Sequence, residues 1–188
     1  MLPLMLDLAE WPVLLVGGGP AALKRLDLLE QSGARRLAIH APDPLPEMRA
    51  RAGARLVERL PDEAEIAAAR LLFVADLPEP EAARLAVLGR AHRVLVNVED
   101  VVPLCDAYAM ATVRRGQLVL AVSTEGRSPA VAARLRRQLA ERYGPEWAAR
   151  LDAVAALRDR LRAEGRRPAE VMAETNAWLD AQDRQETG

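Results

Sequence analysis

From Trp11 to about Val98 the chain alternates short apolar runs with longer amphipathic stretches. Val13-Leu-Leu-Val16 predicts a buried strand, three glycines follow, and residues 21–31 carry the spacing of a helix. Residues 37–40 predict a second short strand, closed by Ala41-Pro42. Between 45 and 70 the pattern is ambiguous; a helix over 47–51 and a strand near Leu56 match it best. Residues 71–75 form a clear apolar run, 79–92 a helical pattern and 94–98 another apolar run. Strands that are apolar almost throughout, separated by helices, predict an α/β fold with a parallel sheet covered on both faces.

After Asp100 the grammar changes. Two half-apolar runs, 108–113 and 118–123, flank Arg114-Arg115-Gly116-Gln117, the pattern of a β-hairpin with glycine at its turn. Ser128-Pro129 then opens a helix, with serine to cap the free amides and proline at the first helical position. That helix is expected to stop at Gly144-Pro145. Two further helices are expected over 146–164 and 168–181, followed by a polar tail over 182–188. The expected parts are a Rossmann-like parallel sheet domain over 1–107, a hairpin-plus-helix segment over 108–144 and a small helical domain over 145–188.

Composition narrows the function. A net charge of −1 argues against a nucleic-acid binder, and 3% aromatic content leaves little for stacking on bases. Cys105 is the one cysteine, so no intramolecular disulfide forms, and a reducing compartment is expected. No apolar run reaches the roughly 18 residues needed to span a bilayer, and the first residues lack the basic start of a signal peptide. A cytoplasmic protein without a membrane partner is therefore expected. His40 and His92 are far apart and stand beside no Cys or carboxylate at ligand spacing, so no resident metal site is expected.

The first chemical motif is Gly17-Gly18-Gly19-Pro20-Ala21-Ala22, a G-x-G-x-x-A placed between a strand and a helix. Gly17 permits a tight turn, Gly19 lets a pyrophosphate approach the backbone, and Ala22 allows close packing of helix on strand. The helix start supplies free amides to phosphates. NAD binding is expected here, against the alternative of a structural glycine turn. An acid at the end of the second strand commonly bonds the adenosine ribose; Asp43 stands just beyond that end and serves either this role or that of a turn residue. No arginine directly follows to claim a 2′-phosphate, which favours NAD. The second motif is Asn97-Val-Glu-Asp100, at the end of the last strand of the sheet. Ligands of open α/β sheets gather at the carboxyl ends of strands, so Asp100 is a candidate catalytic base, with a turn or cap residue as the rival reading.

Val16-Gly-Gly-Gly19 with Lys24, Asn97-Val-x-Asp100 with Cys105, Arg115-Gly116, and Ala121-Val-Ser-Thr-x-Gly-x-Ser-Pro129 together resemble the sirohaem synthase N-terminal family. The resemblance extends from about Leu2 to Glu141. It implies a Rossmann domain, a dimerisation segment covering the hairpin, and a helical domain. It further implies NAD-dependent oxidation of precorrin-2 to sirohydrochlorin in a homodimer, with insertion of ferrous iron as a further activity of some members. Asp100 corresponds to the family's functional aspartate, and Ser128 to its Ser-Pro segment near the tetrapyrrole. The substrate is a polycarboxylate, so Arg115 and Arg127, with Arg114, are candidate carboxylate contacts; the alternative is a solvated basic face. The chain departs from the family at Glu99, Val102, Met110 and Glu125, and at Asp76, where a threonine is common. Those departures sustain a rival reading: a non-catalytic dinucleotide-binding regulator or pseudo-enzyme of the same fold.

Overall fold

The structure, a computed structural model, describes residues 1–186. Among these, the chain divides into two compact units, one from Met1 to Ala109 and one beginning at Met110. The segment expected over 108–144, from Met110 on, and the one expected from 145 onward fall together in the second.

The first unit is a five-stranded sheet in the order β3-β2-β1-β4-β5, with every pair parallel. Its strands are β1 (Pro12–Val16), β2 (Arg36–His40), β3 (Leu56–Val57), β4 (Leu71–Val74) and β5 (Leu95–Val98). Between them run α1 (Pro20–Gln31), α2 (Pro46–Ala52), α3 (Glu63–Ala68) and α4 (Glu79–Ala91). Each face of the sheet has its own core. One gathers Leu15, Leu26, Leu29, Ile39, Met48 and Phe73; the other gathers Leu14, Ile66, Leu72, Leu85 and Val96. Alternate residues of β1 and β4 feed opposite cores, which is why those strands read as unbroken apolar runs.

The helix α2 and strand β3 lie where the ambiguous stretch suggested. Helix α3 went unforeseen, although its capping box is visible in sequence: Asp62 accepts from the Glu65 amide at 2.9 Å, and the Glu65 carboxylate accepts from the Asp62 amide at 2.8 Å. Chain order crosses from β3 on one edge back to β4 beside β1. The order therefore reverses between β1 and β4, and a crevice opens at their carboxyl ends.

In the second unit β6 (Ala111–Arg115) and β7 (Leu118–Val122) form an antiparallel pair. The loop is two residues rather than the expected four, because Arg115 pairs with Leu118 and Arg114 with Val119. Gly116 takes φ +57° at the first loop position, the conformation a type II′ hairpin turn demands. Residues 108–110, expected in the first strand, precede it. Helix α5 (Pro129–Arg142) starts at its predicted cap: Ser128 Oγ accepts from the Val131 amide at 3.3 Å. Helices α6 (Trp147–Ala163) and α7 (Pro168–Glu186) follow. The expected polar tail is thus helical through Glu186, and its last two residues lie outside the described residues. Arg150 is buried, lies over the Trp147 ring and pairs with Asp183 at 3.2 Å, tying α6 to α7.

Candidate functional site at the carboxyl edge of the sheet

Gly17, Gly18 and Gly19 leave the carboxyl end of β1 and lead into α1. Gly17 adopts φ +137°, and a Cβ there would sit 2.0 Å from the Ala75 carbonyl oxygen, so only glycine fits. Its amide donates to the His40 carbonyl at 2.8 Å, fixing the loop to the end of β2. A Cβ on Gly18 would meet Pro44 Cα at 2.6 Å, and the Leu45 amide donates to the Gly18 carbonyl at 2.9 Å. Pro20 occupies the first turn of α1, which leaves the Ala21 and Ala22 amides as its open donors. The loop and its helix have the frame a dinucleotide pyrophosphate requires.

Those two amides are engaged within the chain. Ala22 donates to Asp76 Oδ2 at 2.7 Å and Ala21 to Oδ1 at 3.3 Å. Asp76 follows β4, the strand beside β1, with a left-handed backbone at φ +55°. In sequence it stood out only as a departure from the family pattern. Its position at the helix start depends on contacts spanning 55 and 54 residues, which no local pattern reveals.

Asp43 is exposed just beyond β2, on the same edge as the glycine loop, and its side chain makes no hydrogen bond among the described residues. His40, at the end of β2, is buried; its Nδ1 has no hydrogen-bond partner and its Nε2 lies 3.8 Å from Glu65. Burial holds the imidazole pKa below its ordinary value, against the opposing pull of Glu65. The hydrogen bond from Arg59, joined by that from the Asp62 amide, lowers the Glu65 carboxyl to about 2.

Asp100 lies beyond β5 and is exposed, with φ +57° and no side-chain partner among the described residues. Val74 and Val98 are register partners, so Asp76 and Asp100 stand at equivalent positions beyond neighbouring strands. The turn that presents Asp100 is held from beneath. Cys105 Sγ accepts from the Val98 amide at 3.3 Å and donates to its carbonyl at 3.1 Å. Asn97 Nδ2 donates to the Ala107 carbonyl at 2.9 Å, and Asp106 accepts from the Val96 amide at 3.2 Å and pairs with Arg90. Burial raises the Cys105 thiol above its usual pKa, which suits a packing role. Glu99, the acidic departure beside Asp100, forms an ion pair with Arg25 of α1. Its extra charge is therefore neutralised locally, in a contact the sequence did not disclose.

The second unit holds the candidate substrate contacts. Arg127 is exposed and its side chain has no partner among the described residues. Arg115 is committed elsewhere: its Nε donates to the Tyr143 carbonyl at 2.9 Å and a terminal nitrogen to that of Ala140 at 3.0 Å. It thereby caps the carboxyl end of α5, and a substrate contact by Arg115 would have to compete with that cap. Ser128 is likewise occupied as the cap of α5, while Thr124 Oγ1 bonds both its amide and its carbonyl. The residues expected for cofactor and catalysis thus share one sheet edge in the first unit, and Arg115, Arg127 and Ser128 belong to the second. Among the described residues no three His, Cys, Asp or Glu side chains cluster to hold a metal ion, and no helix is long and apolar enough to cross a membrane.

Comparison with known proteins matches residues 4–111 to a family model described as "Putative NAD(P)-binding" and residues 115–142 to one described as "Sirohaem biosynthesis protein central". The chain is 32% identical over 163 residues to a sirohaem synthase of Methylococcus capsulatus, covering 86% of this chain and 34% of that protein. To the sirohaem synthase of Pseudomonas fluorescens it is 37% identical over 157 residues, covering 82% and 34%. The chain thus spans about a third of the length of these relatives. Among solved structures, "SirC, precorrin-2 dehydrogenase" superposes with a TM-score of 0.76 at 23% identity, over 97% of this chain and 91% of that one, and so shares the fold.

Proposed function

Since the chain belongs to the sirohaem synthase N-terminal family, an NAD(P)-binding family, we propose that it uses NAD to oxidise precorrin-2 to sirohydrochlorin. The observation that carries this reading is the shared edge: the glycine loop beyond β1 and Asp100 beyond β5 open on the same side of one parallel sheet.

When bound, NAD would supply the hydride acceptor for oxidation of the partly reduced macrocycle. Gly17, Gly18 and Gly19 give its pyrophosphate access to the backbone, with Pro20, Ala21 and Ala22 forming the helix start behind it. Asp43 is positioned to accept from the adenosine ribose. Asp100 is the proposed catalytic residue. As an exposed carboxylate without a protein partner, it is available to take the proton released with the hydride or to stabilise positive charge developing on the ring. In the second unit, Arg127 and the start of α5 after Ser128 offer positive charge suited to the substrate's carboxylates. Arg115 contributes there through the helix it caps.

We also propose a homodimer joined through the second unit. A two-stranded hairpin is marginal alone, and no residue of α5 is buried within the chain. The apolar side chains Val131 and Leu135 stand four residues apart on that helix, 47% and 41% exposed. A second copy is the proposed cover, and a cytoplasmic location is proposed with it.

The test is anaerobic incubation of the purified protein with precorrin-2 and NAD⁺ without iron. NADH formation with conversion to sirohydrochlorin supports the reading; binding of NAD⁺ without turnover favours the pseudo-enzyme. Ferrous iron added after NADH has accumulated tests iron insertion in the same vessel.

A further inference from the structure

We propose that the Asp76 carboxylate is a built-in competitor for the cofactor's phosphates and sets the affinity of this protein for dinucleotides. The proposal rests on the NAD(P)-binding assignment of the glycine loop.

Two separate features place the carboxylate where a phosphate would lie. It takes the amides of both Ala21 and Ala22, the open donors of the α1 start. It also lies against Gly19, the glycine whose missing side chain makes room for a pyrophosphate: a Cβ on Gly19 would fall 2.7 Å from Asp76 Cγ and 2.9 Å from Oδ2. Room and donors are therefore filled by the same group.

The backbone at Asp76 is fixed by its neighbours. The Ala75 amide donates to the Val16 carbonyl at 2.9 Å, and Gly17 packs against the Ala75 carbonyl. The carboxylate can leave only by rotation of its own side chain, giving up both amide bonds. Among the described residues no arginine or lysine pairs with Asp76 to neutralise it. A pyrophosphate entering while the carboxylate remains would meet a like charge at contact distance. Binding and the Asp76 cap are thus mutually exclusive, and the cap weakens every ligand that needs the two amides.

Calorimetric titration with NAD⁺ of the wild type, Asp76→Asn and Asp76→Gly tests this. Both replacements tolerate the left-handed backbone, so the fold is retained. NAD⁺ should bind tenfold or more tightly to Asp76→Gly, with Asp76→Asn intermediate because the amide keeps the hydrogen bond but loses the charge. The melting temperature of the ligand-free protein should fall by a few degrees as α1 loses its anionic cap. Adenosine, which carries no phosphate, should bind all three proteins equally. Unchanged or weaker NAD⁺ binding by both folded variants overturns the competitor role while leaving the cofactor assignment intact. A failure of all three proteins to bind NAD⁺ overturns both, and an equal gain for adenosine shows that the effect is not phosphate competition.

Discussion

The two units bury their apolar side chains to different extents, the second burying few beyond Val113, Val154, Leu161 and Val171. In the first, Val13–Val16 of β1 and all of β4 are buried, and each face of the sheet closes over its own core. In the second, α5 buries none of its residues and β7 has no fully buried position. A parallel sheet flanked by helices completes itself within one chain. In the second unit the hairpin and α5 leave apolar side chains open even with α6 and α7 present, so their stability depends on what covers them. The first unit is thus self-sufficient as a platform for the proposed cofactor site, and the second carries the surface proposed to be covered by a second copy.

The largest expected effect breaks this contrast at its stronger side. Leu15 is fully buried at the centre of β1, and Leu15→Ala should cost about 2–5 kcal/mol of unfolding free energy in urea titration. Leu135→Ala in α5 should cost well under 1 kcal/mol at protein concentrations where the monomer prevails. Equal losses at the two positions would end the distinction. Next in size, Leu135→Asp should weaken dimerisation by roughly tenfold or more in sedimentation, about 1.4 kcal/mol, with the far-ultraviolet spectrum unchanged. A wild type that remains monomeric at every concentration would contradict the proposed interface. Gly19→Val should likewise lower NAD affinity tenfold or more, by about 1.4 kcal/mol, with the fold kept. It confines the loss to the first unit, and the second unit's assembly should not respond.

The smallest effect is a pH dependence. His40 is held neutral by burial, its pKa depressed in the fold below the 6.5 of a free imidazole. Its contribution to stability is present above 6.5 and is lost as pH falls through and below that value, because the unfolded chain binds the proton first. Glu65, lowered from 4.5 to about 2, adds a further loss in the same direction as pH falls through that lower range. Between pH 6.5 and 5 the first unit should therefore weaken, and His40→Gln should flatten that slope in thermal melts.

The difference between the units also explains what was legible in the sequence. β1 and β4 were visible because burial on both faces demands apolar runs, and the glycine loop because its backbone tolerates no other residue at Gly17. The α5 start was equally plain, since Ser128-Pro129 carries its own cap. The length of the hairpin turn was misjudged because Arg114 and Arg115 are strand residues with polar side chains. α3 was hidden by its brevity, although Asp62 and Glu65 announce its cap. The Asp76 cap and the Arg25–Glu99 pair join residues 54 or more apart, and only the folded sheet edge brings them together. Asp100 was placed correctly at that edge, but its left-handed backbone is a property of the turn that sequence alone does not reveal.

The central claim is that the sheet edge carries both the dinucleotide and the chemistry. It is tested most directly by the rate of NADH formation from precorrin-2 and NAD⁺ by Asp100→Ala and Asp100→Asn beside the wild type. The Asp100 side chain makes no contact that the fold needs, but its left-handed backbone suits asparagine better than alanine, so Asp100→Asn should melt with the wild type, Asp100→Ala slightly below it, and both should bind NAD⁺ normally. If Asp100 acts as a base, both should lose roughly 100-fold in kcat. Full turnover by a stably folded Asp100→Ala protein would contradict the account.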